Sequence, residues 1–433
     1  METTLSIVNP LLKDIGEDVM GFLNEIQLRY PQAISLASGR PDEDYFGIED
    51  FPEYFNIYVD AVAASGNKDR RQVLNSLGQY NRAKGIINAE VAKYLQTDEQ
   101  INVRPEDLVI TVGTQESMCL AVMTLCDREQ DVIVVEDPAY VGLTHFSIIA
   151  GYRIDAVPVK EDGISLEGLE ESIIRHRLQG LQVKLVYVGP DYQNPTGTSM
   201  PVEKRQRLLD MAARYDFFIL EDNAYGEFAY EGEPSPPLKA MDTNDRVIYM
   251  RSFSKTLYPS LRLGAMVANQ RVMHEGKEVF LSDLMAKTKG YTTVNTPSIN
   301  QAVFGGILIK NNFSLRQANS AKVAALKTKR DNLVSALGEL LNPQHASWAK
   351  DISWKIPQGG FFITIRVPFA VGKKEVIACA EQFGVIFTPM SFFHLNGGGD
   401  YEIRLAFSHL TPDTIRPAME RLVQYFKSKI LFN

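Results

Sequence analysis

The run Phe217-Phe218-Ile219-Leu220-Glu221-Asp222-Asn223-Ala224-Tyr225 passes straight from continuous apolar residues into acidic and amide side chains. A strand buried on both faces and ending in a polar turn has this pattern. It recurs in both directions along the chain. Leu108 to Val112 runs into Gly113-Thr114-Gln115, and Val132 to Val135 into Glu136-Asp137-Pro138-Ala139-Tyr140. Leu185 to Val188 leads to Gly189-Pro190, and Val247 to Met250 to Arg251-Ser252. Between these runs, Ser117 to Leu125, Ser165 to His176 and Val202 to Tyr215 repeat apolar residues at intervals of three and four, which predicts helices. Strands alternating with helices in this way predict an α/β fold whose mostly parallel central sheet is covered on both faces.

The 433-residue chain carries 45 Lys plus Arg against 53 Asp plus Glu, a formal charge of −8, and 45% of it is hydrophobic. That is ample material for buried cores, and length alone predicts two or three domains at about 150 residues each. Mild acidity without a basic block argues against nucleic acid as a partner but leaves room for one small anion. Cys119, Cys126 and Cys379 lie in no Cys-x-x-Cys pair and near no histidine at zinc-ligand spacing, so neither a disulfide framework nor a metal site is expected. No apolar run approaches the roughly 20 residues of a membrane helix, so no membrane partner is expected. Met1-Glu2-Thr3-Thr4 opens without a basic and then apolar leader, and the expected location is the cytoplasm. Neither a repeat nor a low-complexity linker divides the chain, so domain boundaries must come from topology.

In such sheets, ligands bind outside the carboxyl ends of the strands. The residues collected there are Gly113, Thr114, Gln115, Tyr140, Asn194, Asp222, Tyr225, Ser252, Ser254, Lys255 and Arg262. One lysine, one carboxylate, one arginine, two tyrosines and several small donors suit a ligand with an anionic end, a basic nitrogen and an aromatic body. Because side chains alternate along a strand, only one of Glu221 and Asp222 can face it. The N-terminus of the helix expected near Ser117 is a ready anion site, Gly113 permits close backbone approach, and Arg262 offers a planar fork suited to phosphate.

Ser252-Phe253-Ser254-Lys255 with Arg262 beyond it, preceded by Asn194-Pro195-Thr196-Gly197 and Asp222-Asn223-Ala224-Tyr225, resembles the pyridoxal-phosphate (PLP) aminotransferases of fold type I, class I/II. Gly113-Thr114-Gln115 and Pro357-Gln358-Gly359-Gly360 stand at matching earlier and later positions, so the resemblance covers essentially the whole chain. An Asn-Pro-Thr-Gly alone is more often just a turn; five blocks in register are specific. The resemblance implies that Lys255 forms the Schiff base with PLP and moves the substrate proton. It gives Asp222 the pyridine nitrogen and Asn194 and Tyr225 the ring oxygen. Tyr140 would stack on the ring, and Gly113, Thr114, Gln115, Ser252 and Arg262 would hold the phosphate with Ser254 beside them. Tyr80, in Gln79-Tyr80-Asn81, resembles a tyrosine lent to the neighbouring subunit's phosphate, which implies a homodimer. The plainer alternatives are a solvated Lys255, a helix-capping Asp222, a half-buried Tyr225 at a loop and a salt-bridged Arg262.

On the substrate side, Glu402 to Ser408 alternates like a strand with one arginine. Arg404 resembles the family arginine that grips the α-carboxylate bidentately, against the plainer alternative of a structural arginine at a strand edge. Leu36-Ala37-Ser38-Gly39-Arg40-Pro41 resembles the substrate-side loop, where Gly39 would let the backbone approach and Arg40 could meet an acidic or phenolic group or remain solvated. Ser260 departs from the glycine many relatives carry before the phosphate arginine, without altering the Lys255 to Arg262 spacing. Phe392, Phe393 and His394, beside the Gly397-Gly398-Gly399 loop, are where side-chain selectivity is expected. Gly21 to Ile26, Arg29-Tyr30-Pro31 and Ser38-Gly39-Arg40-Pro41 are similar to an aromatic or aminoadipate-type branch that includes enzymes of arylglycine amino acids.

The resemblance implies a large PLP-binding domain over residues 60–315 and a small domain made of 1–59 plus 316–433, joined by a helix around Phe313 to Leu341. It implies transamination in two half-reactions, with a 2-oxo acid such as 2-oxoglutarate or pyruvate as acceptor. The cofactor motifs hold PLP rather than choosing which bond breaks, so a decarboxylase, lyase or oxidase on the same fold is the alternative. A PLP-binding regulatory module, which would need an additional N-terminal winged helix, ranks last.

Overall fold

The computed structural model describes residues 9–15, 18–66 and 68–431. The leader reading concerns residues 1–4, outside the described residues. Eight strands form the central sheet: β1 (Leu108–Thr111), β2 (Asp131–Asp137), β3 (Arg153–Lys160), β4 (Gly163–Ile164), β5 (Gln182–Val188), β6 (Phe218–Asn223), β7 (Val247–Ser252) and β8 (Gly264–Val267). Their order is β1-β8-β7-β6-β5-β2-β3-β4. From β7 through β6, β5 and β2 to β3 every neighbour is parallel, while β8 runs antiparallel to both β7 and β1, and β4 to β3.

The apolar runs extend further into their polar ends than the sequence suggests. Glu221, Asp222 and Asn223 continue β6, and Arg251 and Ser252 continue β7, because ladder hydrogen bonds hold them against neighbouring strands. Strand β3 escapes the apolar-run criterion because it lies near the sheet edge with both its ends exposed.

The strands are buried on both faces. On one side Leu108, Ile110, Val134, Val186, Ile219 and Val247 join one core; on the other, Val109, Ile133, Val135, Leu185, Leu220 and Ile248 pack beneath α1 (Thr114–Leu125). Helices α2 (Leu166–Leu178) and α3 (Val202–Tyr215) lie close to the sequence expectation. Helix α1 begins at Thr114 rather than near Ser117, since Gly113, at φ +74°, forms its N-cap. The helix expected from Phe313 to Leu341 is broken into Leu315–Ala318 and α5 (Ser320–Leu340), after α4 (Ser298–Lys310).

A separate core gathers both ends of the chain. Val19, Leu23, Ile26 and Leu36 pack with Leu333, Leu337, Ile363, Leu405, Met419 and Phe426. It is built on an antiparallel sheet of β9 (Ser353–Trp354), β10 (Phe362–Arg366), β11 (Thr388–Pro389) and β12 (Glu402–Ala406), in the order β9-β10-β12-β11. Ile34–Ser35 adds a short parallel ladder to Val385–Ile386. Among the described residues no helix is long and apolar enough to cross a membrane.

Candidate active site

A pocket opens between the carboxyl ends of the central strands and the second core. From the sheet side it takes Thr114, Gln115, Tyr140, Asn194, Asp222, Tyr225, Ser252, Ser254, Lys255 and Arg262. From the other side come Ser38, Gly39, Arg40, Phe362, Phe393 and Arg404. Of the residues predicted to hold the cofactor, two fall outside its lining. Gly113 sits behind the wall as the cap of α1, and Tyr80 lies on the surface, 84% exposed.

Lys255 follows β7 by three residues, and its Nζ donates to the Gly39 carbonyl at 2.9 Å. Burial pushes its amine down to about 8, helped by Arg404 and Arg262 and opposed by Asp222. A weakened ammonium is what a nucleophilic or proton-carrying lysine requires. Acidity alone does not single it out, because burial also brings Lys322 to about 8. Lys322 Nζ, however, donates to the Thr256 carbonyl at 2.6 Å, and Lys322 is not part of the pocket wall.

Strand alternation resolves the two carboxylates. Glu221 turns away from the pocket and accepts the backbone N–H groups of Leu238 at 2.8 Å and Lys239 at 2.9 Å. It does the helix-capping job that Asp222 might have done. Asp222 faces the pocket, with Oδ2 accepting from the Tyr187 hydroxyl at 2.7 Å and a buried Oδ1 that has no partner. Burial raises its carboxyl to about 6, while the Tyr187 hydrogen bond and Lys255 pull it back.

Glu136 and Gln193 bind the surrounding loops together. Glu136 Oε2 accepts from Gly189 N at 3.0 Å and from Gln193 Nε2 at 2.9 Å, and Gln193 Nε2 also donates to the Pro138 carbonyl at 2.9 Å. The loop bearing Tyr140 is thereby tied to the loop bearing Asn194. Tyr187, Glu136 and Gln193 were missed from sequence. Only the ladder register, which pairs Tyr187 with Leu220 two residues before Asp222, brings that hydroxyl to the carboxylate; within its apolar strand the residue reads as core.

At the other end of the pocket, the free N–H groups at the start of α1 face the Arg262 guanidinium. Gly113 has φ +74°, a conformation that favours glycine, and a Cβ there would crowd Arg262 Nη2 at 2.6 Å. Arg262 Nη1 donates to Ser254 Oγ at 3.3 Å. The Gln115 side-chain amide is spent on the Gly142 carbonyl at 2.9 Å, leaving its backbone N–H for an anion.

Arg404 is 4% exposed and lies between two rings, its guanidinium 4.4 Å from the centroid of Phe362 and 4.7 Å from that of Phe393. It donates to Asn194 Oδ1 and to the Ala37 carbonyl, each at 2.6 Å, while its buried Nε has no partner. Phe393 lines the pocket as expected, but Phe392 packs edge-on against Phe22 and His394 Nδ1 sits 3.1 Å from Asp137. Those two side chains are therefore committed elsewhere. A Cβ on Gly39 would meet Phe362 Cζ at 2.6 Å, so the glycine is needed against that ring. Ser260 is exposed in the turn Pro259–Leu261, consistent with a substitution of small effect.

Arg40, Lys255, Arg262 and Arg404 form no ion pair among the described residues, and of the two carboxylates in the wall Asp191 is already paired with Arg205. Asp222 alone is uncommitted. An unpartnered carboxylate oxygen, a weakened lysine and an anion cradle at one helix terminus fit PLP in all three of its chemical parts.

Comparison with known proteins agrees with that donor set. Residues 56–422 match the model of the family described as aminotransferase class I and II. This chain belongs to that family. It is 38% identical to the (S)-3,5-dihydroxyphenylglycine transaminase of Amycolatopsis orientalis over 429 residues, 99% of this chain and 96% of the relative. It is 30% identical to aromatic-amino-acid aminotransferase 1 of Thermococcus litoralis over 399 residues, covering 92% and 88%. Among solved structures, Pyrococcus horikoshii kynurenine aminotransferase in complex with PMP, the aminated form of the cofactor, superposes with a TM-score of 0.80 at 27% identity, covering 96% of this chain and 95% of that one. The protein is a fold type I, PLP-dependent aminotransferase.

Proposed function

We propose that this aminotransferase moves the amino group of an aromatic or arylglycine-type L-amino acid to a 2-oxo acid, both substrates using one site in turn. The observation that carries the reading is Arg404, held between Phe362 and Phe393 in the same pocket as Lys255. It offers an α-carboxylate anchor walled by aromatic rings, and the named substrate class of the Amycolatopsis relative supports an aryl side chain beside it.

PLP, when bound, supplies the electron sink that makes the substrate Cα–H acidic. The chain does the rest. Arg404 holds the substrate carboxylate, with Asn194 and Ala37 fixing its fork. Lys255 Nζ, with its amine lowered to about 8, would take the proton from the substrate Cα near neutral pH. Asp222 Oδ1 holds the proton of the ring nitrogen. Asn194 has its oxygen committed to Arg404, so its Nδ2 joins the Tyr225 hydroxyl as a donor to the ring oxygen. Tyr140 covers the ring, and Thr114, Gln115, Ser252 and Arg262 bind the phosphate with Ser254 orienting Arg262 and Gly113 leaving room for it. Gly39 positions Lys255 through its carbonyl and admits the substrate beside it.

The working form is a homodimer with Tyr80 lent to the partner's phosphate. Its support is an exposed Tyr80 whose neighbour Asn81 is anchored to Ser298 Oγ of α4 at 2.9 Å, with Tyr291, Val294 and Ile299 also exposed around the start of that helix. The large domain is taken as residues 60–315 and the small one as 1–59 plus 316–433. The cytoplasm is the proposed location, in keeping with three free cysteines.

The test is to mix holoenzyme with a panel of amino acids and follow its visible absorption. Aromatic and arylglycine amino acids should convert the cofactor to its aminated form, with recovery on adding a 2-oxo acid. No conversion by any of them, or steady release of ammonia or carbon dioxide or uptake of oxygen without an acceptor, would overturn the reading.

A further inference from the structure

Tyr187 is a phenol inside an apolar strand. It stands near the end of β5, between Val186 and Val188, and is 3% exposed. A hydroxyl carried into such surroundings costs stability unless it is paired. The ladder supplies the partner. Tyr187 lies opposite Leu220 of β6, and Asp222 is two residues further along the same face, at the diagonal distance an aromatic side chain can span. The hydroxyl donates to Asp222 Oδ2 at 2.7 Å, and Tyr187 forms part of the pocket wall.

This contact does two things for Asp222. It occupies one carboxylate oxygen and so fixes the rotation of the group, leaving the buried Oδ1 as the oxygen without a partner. It also favours the ionised carboxylate, whereas burial favours the protonated one. The titratable groups facing the carboxylate are Glu136 and Tyr140 from the side of β2, Tyr225 beyond β6 and Lys255 beyond β7. Ionised, any of the first three would push Asp222 toward protonation. Lys255 favours the anion, but it is the group that gains and loses a proton in the reaction. The Tyr187 hydroxyl is held well above its ordinary range by burial and by Asp222, so it stays protonated and remains a donor throughout.

We propose that Tyr187 is a positioning residue for the cofactor's pyridine nitrogen: its hydroxyl keeps Asp222 ionised and turned so that Oδ1 meets the ring N–H. This rests on the assignment of Asp222 to that nitrogen. Tyr187 acts through the carboxylate and takes no proton itself.

The experiment titrates apoenzyme of the full chain with PLP and with the PLP analogue that carries C–H in place of the ring nitrogen, and takes the ratio of the two affinities. General damage to the site weakens both ligands alike, whereas a fault at the nitrogen moves the ratio. Wild type should favour PLP, and Asp222→Ala should bring the ratio near one. In Tyr187→Phe, which keeps the ring and loses the hydroxyl, the ratio should fall about 10-fold, the scale of one hydrogen bond to an ionised group. Tyr187→Leu, a second change that removes the hydroxyl and suits an apolar strand, should lower it similarly. A wild-type ratio in either folded variant would overturn the proposal while leaving Asp222 in its role. A ratio near one in the wild type itself would take Asp222 off the ring nitrogen, and the proposal would fall with it.

Discussion

Asp222 shows how one side chain sets activity against stability. Its carboxyl is raised by burial from 3.8 to about 6. A carboxyl whose folded pKa exceeds its unfolded one takes up a proton on folding between those values, so its ionised form burdens the cofactor-free fold above about pH 6. Asp222→Asn keeps an acceptor for Tyr187 and removes that burden. Thermal unfolding of the apoenzyme should show a higher Tm for the variant near pH 8, and no gain near pH 3, where both states of the wild type are protonated. The same variant should lose about 10²- to 10³-fold in kcat, typical of deleting one preorganised partner of a reacting centre. At Arg404, replacement by lysine keeps the charge but not the fork, and kcat/KM for amino acids should fall about 10- to 100-fold in steady-state assays. Most of this site could be read from sequence because its residues sit where buried strands meet polar turns. Tyr187 could not, since an aromatic inside an apolar strand reads as core, nor could Phe362, which arrives from a different sheet.

At the scale of elements, the turn between β1 and α1 is the most constrained. Gly113 has φ +74°, and a Cβ there would collide with Arg262. Gly113→Ala should weaken PLP binding about 5- to 150-fold, since strain of this kind costs about 1–3 kcal/mol. Titration of apoenzyme with PLP measures it directly. The sequence placed that turn correctly but started α1 too late, because Thr114 and Gln115 are polar residues in a helical first turn whose apolar repeat begins only afterwards. It also missed β8, a strand with a glycine start and no polar turn chemistry, whose antiparallel place is set by pairing with β1 and β7.

At the scale of the molecule, the site exists because two cores meet over the carboxyl ends of one sheet. Lys255 and Asp222 come from one side, Gly39, Arg40 and Arg404 from the other, and Lys255 Nζ to Gly39 O bridges them. The division into residues 60–315 and 1–59 plus 316–433 comes from resemblance alone, since no linker marks it. If Tyr80 serves the partner, then mixing Tyr80→Ala and Lys255→Ala chains should restore activity that neither has to the full extent alone, through hybrid dimers carrying one intact site. The most direct test of the account asks which amine holds the cofactor. Holoenzyme is reduced with borohydride, digested, and the cofactor-bearing peptide is identified by mass spectrometry. The account predicts the label on Lys255 alone; a label on Lys322, the other buried lysine near 8, or on any other lysine, would contradict it.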